Sequence, residues 1–195
     1  MTVNTKYITV LLSLFALSCG SSSQTAQSTQ PPLDVECGIE RWHVKTLLDP
    51  DTAKIVWTPV ASSIAEQSAF SRVSVNLTAP RLDFEEQVTA IQCTIVSYKR
   101  EDDNDIHLIL QDSAGNQMIA EIPSVSCAEV MRTSHGMDYG AATDWVTANL
   151  GKPTTSFKDA NKAATVTGVL FQDFSHGQKG AAPSQREIHP VLSIK

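Results

Sequence analysis

Aromatic residues and basic runs are scarce in this chain. Phe, Trp and Tyr make up 6% of its 195 residues, so few remain for a ligand-stacking surface once a core is filled. Lysine and arginine number 15 against 21 aspartates and glutamates, with no Lys/Arg-rich run, which disfavours a nucleic-acid partner held through its phosphates. Gly-x-Ser-x-Gly and glycine-rich phosphate loops are also absent, and these are the motifs of common serine hydrolases and nucleotide-binding folds.

The apolar run near the N-terminus is too short to span a bilayer as a stable helix. Residues 7–17 follow Lys6, which is the arrangement of a secretory signal peptide. Residues 15–20 read Phe-Ala-Leu-Ser-Cys-Gly and resemble the lipobox at which bacterial lipoproteins are acylated on cysteine, although Ala16 departs from the usual Leu. We therefore predict a signal peptide over residues 1–18 and lipidation of Cys19. The alternative is an ordinary secretory signal with an incidental cysteine.

The segment after Cys19 has the composition of a flexible linker. Residues 20–32 carry no charge and almost no apolar side chain, so they cannot bury enough surface to fold. We expect residues 19–33 to tether a domain to a membrane of the cell envelope. Gly20 stands where an Asp would resemble the inner-membrane retention signal, so the outer membrane is expected in a Gram-negative host.

Three cysteines remain if Cys19 is acylated, and an exported protein meets an oxidising compartment. Cys37 follows the tether and Cys127 follows a Pro-Ser-Val-Ser segment, so both are expected in loops that could meet. Cys93 lies in a strand-like run and is expected to be a small buried apolar residue. Of the three bridges that are possible, we favour Cys37 with Cys127.

Strand-like runs dominate the rest of the chain. Alternation and β-branched residues predict five strands, at residues 85–99, 105–112, 117–122, 163–174 and 187–194. Helical spacing predicts one helix over residues 139–150, with Asp138 as its N-cap and Gly151 at its end. Gly168 is expected at a bulge, and Pro190 is expected to put its strand at an edge or in a bulge.

This order of elements is that of the oligonucleotide/oligosaccharide-binding (OB) fold, a five-stranded Greek-key β-barrel with a helix between its third and fourth strands. We therefore predict a mainly β domain over residues 85–195. Residues 34–84 are expected to pack on the barrel as an N-terminal extension. Within it, residues 40–47 and 54–58 are candidate strands, and Ser63 begins a Ser-Ile-Ala-Glu capping box.

Segments at both ends of the domain resemble a widespread, uncharacterised group of bacterial proteins. Residues 40–49 read Glu-Arg-Trp-His-Val-Lys-Thr-Leu-Leu-Asp, residues 173–183 read Asp-Phe-Ser-His-Gly-Gln-Lys-Gly-Ala-Ala-Pro, and residues 187–191 read Glu-Ile-His-Pro-Val. Residues 107–112 and 118–123 also resemble the central strands of that group. The resemblance implies a shared fold and carries no activity onto these positions.

The loop before the last strand holds an unusual set of polar residues. His176 and Gln178 lie in it, and Glu187 and His189 follow it, so all four are candidate ligand-binding residues at a mouth of the barrel. His176, Glu187 and His189 could bind Zn²⁺ or another divalent cation. Their fourth ligand would be one of three residues, His107, Asp112 or Glu121. The alternative is that His189 is a strand residue bonded to backbone and that His176 belongs to an ordered turn.

Two further patterns have simpler explanations. The carboxylates of residues 101–105 lack the glycine and glutamate that an EF-hand calcium loop requires, so we interpret the run as a solvated hairpin turn. Trp42, Trp57, Tyr98 and Phe171 could form a stacking face for bases or sugars, but so small an aromatic content favours places in the core.

Two functions follow from these patterns. The first is a non-enzymatic binding or interaction module without a cofactor, whose ligand is a small molecule, a glycan or a protein. The second is a metal-dependent hydrolase, such as a nuclease, that uses His176, Glu187 and His189 together with His107. The hydrolase requires these side chains to converge on one cation.

Replacement of Cys19 by Ser should abolish membrane attachment, because several acyl chains are needed for stable anchoring and they would be joined to this sulfur. Fractionation of cells that express the variant, with Cys93→Ser as the control, measures the effect. Normal processing and unchanged membrane association of the Cys19 variant would refute the lipobox.

Overall fold

The computed structural model describes Thr2 and residues 37–38, 40–175 and 177–195. The chain divides into units of residues 1–32 and 33–195, and every described residue except Thr2 belongs to the second. The predicted signal peptide, Cys19 and the tether therefore lie outside the described residues, as does His176. Among the residues described, no helix has the length and apolar character needed to cross a membrane.

The described elements are mostly strands. The six strands are β1 (Val56–Ser62), β2 (Gln87–Arg100), β3 (Ile106–Gln111), β4 (Gln117–Ile122), β5 (Lys158–Gln172) and β6 (Arg186–Ile194). The helices are α1 (Trp42–Lys45), α2 (Ile64–Ser68), α3 (Ala128–Met131) and α4 (Gly136–Asn149), with 3₁₀ turns at Pro50–Lys54 and Asp83–Glu86. The predicted mainly β class is confirmed.

The strands form one mixed sheet in the order β1-β2-β3-β4-β6-β5, and β2 also pairs with β5. The β1–β2 and β4–β6 pairs are parallel, and the remaining pairs are antiparallel. Strand β2 is long enough to pair with β3 through its second half and with β5 along most of its length. Its register shifts between Ile95 and Ser97 in both pairings, which is the bend that a strand of 14 residues is expected to need.

Side-chain alternation gives β3 and β4 two different faces. One face belongs to the main apolar core, with Leu108, Leu110, Met118, Ala120 and Ile122, and helix α4 adds Tyr139, Ala142 and Val146 to that core. The opposite face, called the far face below, carries His107, Ile109, Ile119 and Glu121, which are also buried. Polar side chains on a buried strand face need partners, and the far face is where the functional candidates lie.

The prediction of a strand over residues 40–47 is wrong. Residues Trp42–Lys45 form one helical turn, and the backbone around it is left-handed, with φ of 59° at Arg41 and 62° at Leu47. A strand cannot contain residues in that conformation. The second candidate strand is present in part, since β1 begins at Val56, and Ser63 caps α2 by accepting the Glu66 N–H (3.1 Å).

Helix α4 begins earlier than its apolar spacing indicated. Its first residue is Gly136 and its N-cap position is His135, so the expectation that Asp138 caps the helix is wrong. Asp138 instead accepts from His135 Nδ1 (2.9 Å). Gly151 follows the helix with φ of 94°, as expected for a residue that ends one.

The expected bulge at Gly168 and Pro190 is confirmed. Between the pairs Gly168–Val191 and Leu170–Ile188, β5 advances by two residues and β6 by three, so β6 carries an extra residue beside Pro190. A Cβ atom at position 168 would lie 2.2 Å from the Pro190 carbonyl oxygen, which explains the glycine. The bulge sets the direction of His189, which precedes the proline.

Arg41 joins the N-terminal segment to the sheet. Its guanidinium makes two hydrogen bonds to Glu85 (2.7 and 2.6 Å) and one to the Pro80 carbonyl oxygen (2.7 Å). The Glu85 carboxylate also accepts the backbone N–H groups of Leu82 and Gln172, each at 2.7 Å. Both charged groups are buried, and both are satisfied by hydrogen bonds. A buried ion pair is tolerated under this condition.

Cys37 and Cys127 form the predicted disulfide, with 2.25 Å between their sulfur atoms. The bridge joins the segment before α1 to the N-cap of α3. Cys93 is the free cysteine of the described residues and packs half-buried against the core, which makes it less buried than expected.

Removal of this disulfide by Cys37→Ser together with Cys127→Ser should lower the free energy of unfolding by about 2–5 kcal/mol, because the bridge closes a loop of 90 residues. Urea denaturation followed by far-UV circular dichroism measures the loss. Cys93→Ser is the control and should change stability far less. Equal midpoints for the oxidised wild type and the double variant would contradict the pairing.

Candidate functional site: a buried histidine–carboxylate cluster

Two histidines meet one carboxylate on the far face of the sheet. His107 and Glu121 are direct cross-strand partners on β3 and β4, and His189 comes from β6. Glu121 Oε1 lies 2.9 Å from His107 Nδ1, and Glu121 Oε2 lies 3.1 Å from His189 Nδ1. All three side chains are buried, so Glu121 acts as an internal bridge between two imidazole rings.

His107 has hydrogen-bond acceptors at both ring nitrogens. Nδ1 faces Glu121 and also Glu101 (3.1 Å), while Nε2 lies 3.1 Å from the carbonyl oxygen of Lys179. Carboxylates and carbonyls only accept, so both nitrogens must carry protons and the ring is an imidazolium. Burial acts to lower the pKa of His107, but the bonds to Glu101 and Glu121 outweigh burial and raise that pKa to about 9.

His189 is surrounded by carboxylates. Its Nδ1 lies 3.1 Å from Glu187 Oε1, and its Nε2 lies 3.4 Å from Asp105 Oδ2. Burial acts to lower the pKa of His189, but the nearby carboxylates of Asp105, Glu121 and Glu187 raise that pKa well above its usual range. Burial acts to raise the pKa of Glu121, whereas the bonds to both histidines hold it well below its usual range. Glu121 is therefore charged at neutral pH.

Glu187 and Lys45 complete the charge distribution. Burial, followed by the charges of Asp173 and Glu121, raises the pKa of Glu187 to about 7, so its neutral form is populated at neutral pH. Burial acts to lower the pKa of Lys45, but Glu121, Glu187 and Asp173 raise it above its usual range. Lys45 comes from α1, so a cation from the N-terminal segment balances carboxylates on β4 and β6.

The segment 177–185 before β6, called the cover loop, lies over the far face. Its Lys179 carbonyl oxygen contacts His107, and Gly180 packs directly against Ile109. Two constraints favour glycine at position 180. Its φ of 90° is left-handed, and a Cβ atom there would lie 2.8 Å from the Ile109 side chain. The cover loop thus lies against His107, and both His107 and His189 are buried.

The structure brings together most of the residues that the sequence singled out. His107, Glu121, Glu187 and His189 converge, whereas Asp112 lies in the β3–β4 turn and accepts hydrogen bonds from Asn116. Gln178 is half-buried in the cover loop, where its carbonyl oxygen accepts the N–H of Ala181 (3.4 Å). His176 lies outside the described residues. The candidate ligands His107, Glu187 and His189 are buried, with 1%, 2% and 0% of their surface exposed.

Three residues of the cluster were missed from the sequence: Glu101, Asp105 and Lys45. The run of residues 101–105 was interpreted as a solvated turn, but Asp105 is buried and Glu101 is half-buried beside His107. The sequence gives one weak indication that Glu101 and Asp105 belong with His107. All three occupy odd-numbered positions on the way into β3, and alternate positions of an extended chain share a face. Lys45 offered no such signal, because its place depends on how α1 packs.

The aromatic residues serve mainly as core, as their small number indicated. Tyr98 and Phe171 are fully buried, and Trp42 is half-buried against the core. Trp57 differs: it is 42% exposed on β1 and stacks on His135 with 4.5 Å between ring centroids. These four residues form no shared stacking face.

Comparisons with protein-family models, with curated proteins and with solved structures find no match for this chain.

Glu121→Gln should lower the free energy of unfolding by about 3–5 kcal/mol, because it removes the charge bonded to two buried cationic rings. Glu187→Gln is the matched control. It should lower the free energy of unfolding much less, since the Glu187 carboxyl is already partly neutral at pH 7. Urea unfolding of both variants at pH 7 gives the comparison. Equal losses would show that Glu121 has no special place in the cluster.

Proposed function

We propose that this chain is an exported, lipid-anchored binding module that takes a small hydroxylated organic anion. One observation carries the proposal: a cleft of about 260 Å³ lies between α4 and the β2–β3 and β4–α3 connections, and Arg100 and Lys152 line it. This volume is slightly below the usual range for ligand pockets, which begins at roughly 300 Å³, and suits a single sugar-sized molecule.

The chemistry of the cleft supports an anionic ligand. Arg100 and Lys152 are exposed, and within the described part of the chain neither forms an ion pair. Hydroxyl groups of Ser126, Thr143 and Thr147 line the same cleft, as do the apolar side chains of Ile106, Pro123 and Pro153. A guanidinium and an ammonium group would pair with a carboxylate, and the hydroxyls would bond to a sugar ring.

We further propose that β2 to β6 form an OB-like barrel. The pairings β2–β3, β3–β4, β4–β6, β6–β5 and β5–β2 make a cycle of five strands, and α4 stands between the third and fourth of them. Barrels of this type usually bind ligands on their second and third strands, which are β3 and β4 here. The cover loop occupies the far face of those strands, so the cleft beside α4 is the better ligand site.

The metal-dependent hydrolase is the weaker hypothesis. Its proposed groups Glu187 and His189 are sealed beneath the cover loop, where a polymeric substrate has no access. Attachment to the envelope remains part of our proposal because a lipobox-like segment precedes the domain. The Cys37–Cys127 bridge is consistent with an oxidising compartment.

Titration of ¹⁵N-labelled domain with glucuronate should give saturable shifts at the amides that line the cleft, and neutral glucose should bind at least about tenfold more weakly because it lacks the charge. Arg100→Gln and Lys152→Gln should each weaken glucuronate binding. Lys162→Gln is the matched control, since Lys162 is exposed on β5 outside the cleft. Absence of shifts at the cleft, or equal binding by the Arg100, Lys152 and Lys162 variants, would overturn the proposal.

A further inference from the structure

Two buried polar atoms of the histidine–carboxylate cluster face each other without a hydrogen bond. They are His189 Nε2 and Asp105 Oδ2, 3.4 Å apart, on side chains that are 0% and 1% exposed. The other atoms of the same two groups have partners: Asp105 Oδ1 accepts the Ser124 N–H (2.7 Å), and His189 Nδ1 bonds to Glu187. An unsatisfied donor and acceptor in so dry a place indicate a missing partner.

The separation of the two atoms fits a shared cation. Zinc lies about 2.0–2.2 Å from histidine nitrogen and carboxylate oxygen, and a near-tetrahedral angle at the metal then puts those two atoms about 3.4 Å apart. Glu121 can supply a third ligand, because one ligand atom from each of Asp105, Glu121 and His189 lies within 4.8 Å of the others.

The hydrogen bond at the other ring nitrogen also fits. Histidines that bind metal through one nitrogen usually donate the other N–H to a carboxylate, which fixes the tautomer and the ring orientation. His189 Nδ1 bonds to Glu187 Oε1 in this way (3.1 Å), which leaves Nε2 as the nitrogen that points at Asp105.

The surroundings favour an added positive charge. The carboxylates of Glu101 and Glu187 lie beside the three candidate ligands, each 3.1 Å from a ring nitrogen of His107 and His189 respectively. A divalent cation would balance negative charge gathered in this way.

We propose that Asp105, Glu121 and His189 bind a divalent cation of the zinc type, through Asp105 Oδ2, a carboxylate oxygen of Glu121 and His189 Nε2. The cation takes the place of the proton that His189 Nε2 carries in the metal-free protein, and that proton is released to solvent. The side chains of Asp105, Glu121 and His189 are all buried, so the cation is structural and is taken up as the domain folds. This ligand set differs from the one that the sequence indicated: Asp105 is a ligand, and Glu187 orients His189 instead of binding the metal. The proposal is independent of the cleft beside α4.

The test is refolding of the whole exported domain, with its disulfide formed, in Co²⁺ or Zn²⁺ and then in chelator alone. We expect about one cation per chain to remain after dialysis, visible for Co²⁺ as the d–d absorption of a tetrahedral site and for Zn²⁺ by elemental analysis. The thermal midpoint of the metal-loaded protein should exceed that of the chelated protein. A wild type that folds but retains no cation from either solution would overturn the proposal.

Asp105→Asn separates this site from a general effect on folding, because the amide oxygen can still accept the Ser124 N–H. This variant should fold and lose the cation. His135→Gln is the matched control, since it alters a partly buried His–Asp pair that lies outside the cluster, and it should keep the cation. Retention of the cation by Asp105→Asn, or its equal loss from His135→Gln, would contradict the assignment. If Asp105→Asn fails to fold, the number of cations that each wild-type chain retains tests the proposal instead.

Discussion

One carboxylate, that of Glu121, holds the far face of the sheet together. It is charged, buried and shared between His107 and His189, which come from different strands. A charge in such a place is tolerated only if its partners are held firmly, because water is not available to replace them. Two features of the fold hold those partners in place. The bulge in β6 directs His189, and the cover loop supplies a carbonyl acceptor to His107.

The N-terminal segment belongs to the same arrangement. Arg41 pairs with Glu85 in the 3₁₀ turn just before β2, and Lys45, one helical turn later, lies near Glu121 and Glu187. Residues 40–49 thus supply cations, and the segment from the cover loop into β6 supplies a histidine, a carboxylate and the loop over His107. Their meeting in space gives a physical reason for the polar residues in both segments, namely mutual neutralisation inside the domain.

The sequence allowed the strands to be predicted because their apolar alternation is a local property. It also allowed prediction of the disulfide pair and of the unusual polar set His107, Glu121, Glu187 and His189, because polar residues in apolar strands stand out. It did not reveal that Asp105 is buried, since a run of carboxylates normally lies in solvent. The conformation of residues 40–47 was also out of reach, because left-handed residues around α1 are fixed by distant partners such as Glu85 and not by local spacing.

The position of the Cys37–Cys127 bridge has a mechanical consequence. A pull on the chain ahead of Cys37 reaches a covalent junction before it reaches α1, and the bridge passes the force to the N-cap of α3. That load therefore bypasses the hydrogen bonds of Arg41 and the charge interactions of Lys45. Without the bridge, a force on the N-terminal segment would act on them directly. A domain built in this way can be dragged by its N-terminus while the charge cluster stays closed.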